Sequence, residues 1–149
     1  MRIYDPAHLA GQGAVARLEE RLRLHFGLPY AMATSSATTG LLAAGLALDL
    51  AGTDFITTAY TWGGTIAGWL LLGARPRFAD IDPLTLGLSA DAVRRASARG
   101  ARAVLAVDVY GVPAAHNALL AAARDATVAH ATTYSHVGIR TSIGRSLGA

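Results

Sequence analysis

In the run Phe55-Ile56-Thr57-Thr58-Ala59-Tyr60-Thr61-Trp62-Gly63-Gly64-Thr65, a short β-branched and aromatic segment gives way to small and aromatic residues, then to glycines that open an apolar stretch. Phe55–Thr57 has the residue types of a buried strand and Gly64–Leu72 those of a helix, so the run reads as strand, turn, helix. The same alternation extends in both directions. Upstream, Tyr30–Ala33 reads as a short buried strand, Thr34-Ser35-Ser36-Ala37-Thr38-Thr39 as a polar turn, and the alanine- and leucine-rich stretch to about Ala51 as a helix. Downstream, Arg77–Ile81, Ala103–Val107 and Thr127–Ala131 read as strands, and Ser89–Ala98 and Ala114–Arg124 as helices. Ahead of all these, Val15, Leu18, Leu22 and Phe26 recur at helical steps, and Gly27 supplies a stop. Strands alternating with helices imply a three-layer α/β/α sandwich with a largely parallel sheet. Residues 1–131 are assigned to this domain. Thr132–Ala149, rich in Thr, Ser, Gly and Arg, has no clear period and is expected to form an irregular tail.

Composition narrows the function. The 149 residues are 52% hydrophobic, enough for a substantial core, but only 15% charged. A surface so poor in charge suggests that part of it is covered by another chain. All 13 basic residues are arginine; there is no lysine. The net charge of +3 is modest and the arginines are dispersed, so nucleic-acid binding is not supported. The densest group, Arg94, Arg95, Arg99 and Arg102, reads as the solvated face of a helix. With no cysteine there is no disulfide and no thiolate chemistry, and the expected compartment is the cytoplasm. No signal core follows Met1, and the longest apolar run, Gly40–Leu48, is too short to span a bilayer.

Ligands of open α/β sheets sit at the carboxyl ends of the strands, so the turns after the strands are where chemistry is sought. Ser35–Gly40 places hydroxyls at a helix N-terminus, where backbone N–H groups favour a phosphate and where Ser and Thr also serve as ordinary caps. Trp62, before a glycine pair, offers a face for stacking on a flat ring; filling the core or an interface is the alternative. Asp80 and Asp82 fit turn chemistry before Pro83 better than metal binding. His130 and His136 lack a third ligand, and His8, His25 and His116 are isolated. No G-x-G-x-x-G or Walker lysine is present.

Taken in order, the segments resemble the DegT/DnrJ/EryC1/StrS sugar aminotransferases. Gln12–Gly27 is similar to that family's first helix, and Ser35-Ser36-Ala37-Thr38-Thr39-Gly40 to its Ser-Gly-Thr-Ala-Ala turn. Gly52–Trp62 matches its Gly-Asp-Glu-Val-Ile-x-Pro-x-x-Thr-Phe stretch. Gly73–Pro83 resembles Gly-Ala-x-Pro-x-Phe-x-Asp-x-Asp-Pro, and Val107–Gly111 resembles Val-His-x-Tyr-Gly. The resemblance implies the incomplete large domain of the aspartate-aminotransferase fold (fold type I) and the cofactor pyridoxal 5′-phosphate. It makes Ser36, Ala37 and Thr38 the phosphate cradle and Trp62 the residue that stacks on the pyridine ring. Ala37 replaces the glycine of the family turn.

The later landmarks depart from the pattern. Where the family has Glu-Asp-Ala-Ala-Gln, whose aspartate keeps the pyridine nitrogen protonated, this chain has His130-Ala131-Thr132-Thr133-Tyr134, with Ala131 at the aspartate position. Gly138–Ala149 lies along the segment before the family's serine and lysine, which the chain does not reach. Schiff-base chemistry requires an amine that can lose its proton, and arginine stays protonated. The resemblance therefore implies no transamination by this chain alone and no catalytic residue within it. It implies one subunit of a heteromeric pyridoxal-phosphate enzyme, a non-catalytic accessory of a full-length aminotransferase, or a truncated remnant. The implied partner is a full-length family member or a second copy, and the implied substrates are keto-sugars or cyclitols.

Overall fold

The computed structural model describes residues 12–126 and, as backbone, 129–134. It separates into two units, residues 1–35 and 36–149.

In the first unit, helix α1 (Gly13–Phe26) carries the expected apolar residues Val15, Leu18, Leu22 and Phe26, and none of its residues is buried. Gly27 stops it in the left-handed conformation at φ 61°, with the Leu28 N–H returning 2.9 Å to the Arg23 carbonyl. Tyr30–Ala33 is not a strand. It has no ladder partner among the described residues, Tyr30 and Met32 are exposed, and the Ala33 N–H is taken by the Glu19 carboxylate at 2.8 Å. A segment this short counts as strand only when a neighbouring strand pairs with it.

The second unit contains α2 (Ala37–Ala47), β1 (Asp54–Thr57), α3 (Gly63–Leu70), β2 (Arg75–Phe78), α4 (Ala90–Ser97), β3 (Ala103–Asp108), α5 (His116–Asp125) and β4 (Ala129–Tyr134). The sheet has the order β2-β1-β3-β4, and every pairing is parallel. Strand periodicity divides the core in two. Phe55, Ala103 and Leu105 pack with Leu41 of α2 and Trp69 of α3. Ile56, Val104 and Ala106 pack on the other side with Val93 of α4 and Leu119 of α5. Helices thus cover both faces, which is the expected three-layer sandwich.

Several boundaries differ from expectation. Helix α2 ends at Ala47 rather than near Ala51, because Asp49 turns left-handed at φ 53° and the Leu50 N–H folds back to the Gly45 carbonyl. Strand β2 runs over Arg75–Phe78 rather than Arg77–Ile81. Its neighbour β1 ends at Thr57, which pairs with Phe78, and Ile81 joins only an isolated bridge to Leu88. Asp82 has the expected turn role, accepting the Leu84 and Thr85 N–H groups at 2.8 and 3.2 Å. Strand β4 begins at Ala129 and continues through Thr132, Thr133 and Tyr134, which were expected to open the tail; Tyr134 pairs with Asp108. The rest of that tail, including Gly138–Ala149 and His136, lies outside the described residues, as do Thr127 and Val128.

Helices α2 and α3 meet at close range. A Cβ on Gly68 would lie 2.8 Å from the Leu42 backbone nitrogen and the Thr38 carbonyl oxygen. Backbone occupies both sides there, so only glycine fits. The Trp69 N–H donates to the Leu41 carbonyl at 2.7 Å, and its ring meets Phe55 edge to face with centroids 4.9 Å apart.

Candidate functional site

The order of the strands creates a crevice. The chain leaves β1 for β2 through α3, then crosses back over β1 to β3 through α4. Helix α3 lies on one face of the sheet, and α5, which follows β3, lies on the other. The loops leaving the carboxyl ends of β1 and β3 therefore part to opposite sides, which opens a ligand-sized gap between them. A cavity of about 300 Å³ occupies this gap, lined by Ala59, Tyr60, Thr61, Trp62, Val107, Val109 and Tyr110.

Local chemistry fixes the β1 side of the gap. The buried Thr57 hydroxyl donates to the Leu105 carbonyl at 2.9 Å, tying the end of β1 to the middle of β3. Thr58 is buried, and its hydroxyl oxygen accepts the Tyr60 N–H at 3.0 Å, which turns the chain out of the sheet. Thr61 donates to the Thr65 hydroxyl at 3.1 Å. Trp62 occupies the cap position of α3 with extended backbone and is 81% exposed, so it fills no core within this chain.

The residues singled out in the sequence converge on one glycine. A Cβ on Gly64 would lie 2.8 Å from Trp62 Nε1 and 3.6 Å from the Thr38 hydroxyl, so the indole lies against bare backbone at the start of α3. Thr38 donates to the Gly64 carbonyl at 3.2 Å, joining the first turns of α2 and α3. Ser36 caps α2: its hydroxyl oxygen accepts the Thr39 N–H at 3.1 Å and lies 2.9 Å from the Thr39 hydroxyl. Ala37 opens the same helix, where helical geometry supplies no acceptor for the amide. Ser36, Ala37 and Thr38 do not line the cavity beside Trp62; of the three, Thr38 comes near its indole, across Gly64. Ala131, at the position where the resemblance places an aspartate, pairs with Leu105 in β4.

The β3 side was not assigned from sequence. Tyr110 is 71% exposed and holds φ at 54°, a left-handed conformation that is uncommon in a bulky residue. The electrostatic influence of its phenol, then burial, then hydrogen bonding between the two phenols hold Tyr60 above the usual tyrosine range. Behind them Asp108 is completely buried; it accepts the Ala114 N–H at 2.9 Å and lies 3.0 Å from His116 Nε2. His116, isolated in sequence from other metal-ligating residues, is thus paired with Asp108 in the fold. The available signal was a carboxylate closing the apolar strand Ala103–Val107, a position that burial forbids without partners.

Among the described residues no group of three or more His, Cys, Asp or Glu could hold a metal ion, and no helix is long and apolar enough to cross a membrane.

Comparison with known proteins agrees with this architecture. Protein MosB of Rhizobium meliloti is 32% identical over 146 residues, covering 91% of this chain and 29% of MosB. The crystal structure of DesI in the presence of its TDP-sugar product superposes with a TM-score of 0.75 at 32% identity, over 82% of this chain and 31% of DesI. The crystal structure of NtdA from Bacillus subtilis with bound cofactor PMP gives 0.76 at 25% identity, over 79% of this chain and 27% of NtdA. The chain thus spans under a third of the length of these relatives. Its sandwich is the corresponding part of the aspartate-aminotransferase fold. Residues 8–137 match the family pattern itself, and the chain belongs to the DegT/DnrJ/EryC1/StrS aminotransferase family.

Proposed function

We propose that this chain is a subunit of a sugar aminotransferase, that its β1–β3 crevice receives the ring of pyridoxal 5′-phosphate, and that it acts in a heteromer with a lysine-bearing family member. The observation that carries this reading is Trp62, an exposed indole seated on Gly64 at the switch point of the sheet. An aromatic face held there at no cost to the core suits a planar ring.

When bound, the cofactor supplies an electron sink for moving an amino group. Trp62 offers the stacking face. The Ser36 cap keeps the first turn of α2 formed, so that the amides of Ala37 and Thr38 and the helix dipole are available to a phosphate. Thr38, through Gly64, holds that turn in register with the stacking residue. Tyr60 and Tyr110 wall the cavity and limit water around the ring. In this reading the amine that takes and returns the substrate proton lies outside these 149 residues, which hold 13 arginines and no lysine. Active sites shared across a symmetric or pseudo-symmetric interface provide such a group naturally. The low charge content and the exposed apolar residues of α1 favour association. The TDP-sugar product in the DesI structure supports a keto-sugar substrate, with a cyclitol as the alternative, and the absence of cysteine suits a cytoplasmic enzyme.

A second reading, an accessory chain that binds a full-length aminotransferase without holding cofactor, is favoured by one observation. The hydroxyls of Ser36 and Thr38 are already engaged within the chain. Co-expression with a full-length relative separates the two. The shared-site reading predicts co-purification and amino transfer that falls at least about tenfold, near 1.4 kcal/mol, when Trp62 is replaced by Ala. Co-purification with turnover indifferent to Trp62→Ala would leave only the accessory role, and a chain that binds no partner would overturn both.

A further inference from the structure

We infer that Asp108 and His116 form a latch that positions Tyr110 in the wall of the crevice and so sets the width of the space open to a planar ligand. The inference rests on the ring-site reading above and adds to it residues that act through the loop between β3 and α5.

The loop leaves the sheet at Asp108 and enters α5 at His116. Its first residues, Val109–Gly111, form a tight turn closed by the Val112 N–H on the Val109 carbonyl at 3.0 Å. Tyr110 and Gly111 both hold positive φ, at 54° and 77°. A non-glycine residue keeps such a conformation only where its surroundings over-determine it. The Asp108 carboxylate provides that restraint, because it sits at one end of the loop and grips the other through Ala114 and His116.

Anchoring the loop just ahead of α5 is the simpler account of Asp108, which takes the Ala114 N–H next to the cap residue Ala115. Anchoring explains the bond to Ala114 but not the imidazole. His116 stands in the first turn of a helix, where the dipole disfavours a cation, and its ring is turned onto the buried acid. Between the two grips lies the residue whose phenol meets Tyr60 across the cavity lining. The latch thus ties a fully buried group in β3 to an exposed wall of the site.

The test compares the full chain with its His116→Ala and His116→Gln variants. Amide exchange without ligand reports the latch, and titration with pyridoxamine 5′-phosphate, read by tryptophan emission, reports the site. In His116→Ala, amides of residues 109–115 should exchange about tenfold faster while those of Val104–Val107 keep wild-type protection. Affinity for pyridoxamine 5′-phosphate should fall about fivefold. Glutamine, whose amide N–H reaches the same carboxylate, should restore both. Should His116→Ala not fold, Asp108→Asn is read in the same way and should loosen the same loop. Unchanged exchange overturns the latch. A loosened loop with unchanged affinity overturns its positioning role. A wild-type chain that takes up no pyridoxamine 5′-phosphate overturns the ring-site reading itself, whatever the exchange shows.

Discussion

The two tryptophans stand at opposite ends of α3 and have opposite fates. Trp69 is completely buried, with its N–H on Leu41 and its ring on Phe55; Trp62 is 81% exposed at the mouth of the crevice. Nearby glycines differ in the same sense. Gly45 and Gly68 make room so that α2 and α3 can close on each other, whereas Gly64 makes room for the outward indole. The interior of α2–α3 is closed by packing, whereas the crevice beside Trp62 is open. The same residue type does both because one ring lies on the sheet-facing side of α3 and the other stands on the loop ahead of it.

Substitutions can break this contrast, starting with those in the interior. Trp69→Ala removes a buried ring and its hydrogen bond, and should cost about 3–5 kcal/mol in denaturant unfolding. Gly68→Ala places a methyl against the Leu42 and Thr38 backbones and should cost about 1–3 kcal/mol, measured in the same way. Thr57→Val leaves the buried Leu105 carbonyl without that donor, for about 1 kcal/mol.

Asp54 is held below the usual carboxylate range by Arg77 and then Arg75, so the pair stabilises the fold above the ordinary aspartate pKa and fades as pH falls through the lowered value. Asp54→Asn should therefore lower stability at neutral pH and flatten its loss in acid, seen in melts between neutral pH and pH about 3. Trp62→Ala should move stability by less than about 0.5 kcal/mol while weakening ring binding, the reverse of Trp69→Ala.

Much of the fold was legible because strand and helix periods differ, and residues such as Phe55–Thr57 and Ala103–Val107 have few alternatives. Tyr30–Ala33 was misread because strand structure depends on a partner that sequence does not show. The end of β2 was misplaced because β1 sets it through register rather than through the residues of β2 itself. At the site, Ser36, Ala37, Thr38 and Trp62 were named from their place in turns, and three of these contacts turned out to centre on Gly64 or on the helix cap. Asp108 and His116 were missed as a pair because a loop in three dimensions, not a helical or strand period, brings them together. Tyr110 gave no sign of its left-handed backbone, which a glycine at that position would have signalled.

The central claim is that the crevice beside Trp62 receives a pyridoxal-type ring. Calorimetric titration of pyridoxamine 5′-phosphate into the wild-type chain and Trp62→Ala tests it most directly, because a chain without lysine offers no side-chain amine for covalent capture. The account predicts saturable one-to-one binding that weakens at least about tenfold in Trp62→Ala. Equal affinity in the two proteins, or no binding in either, would contradict it.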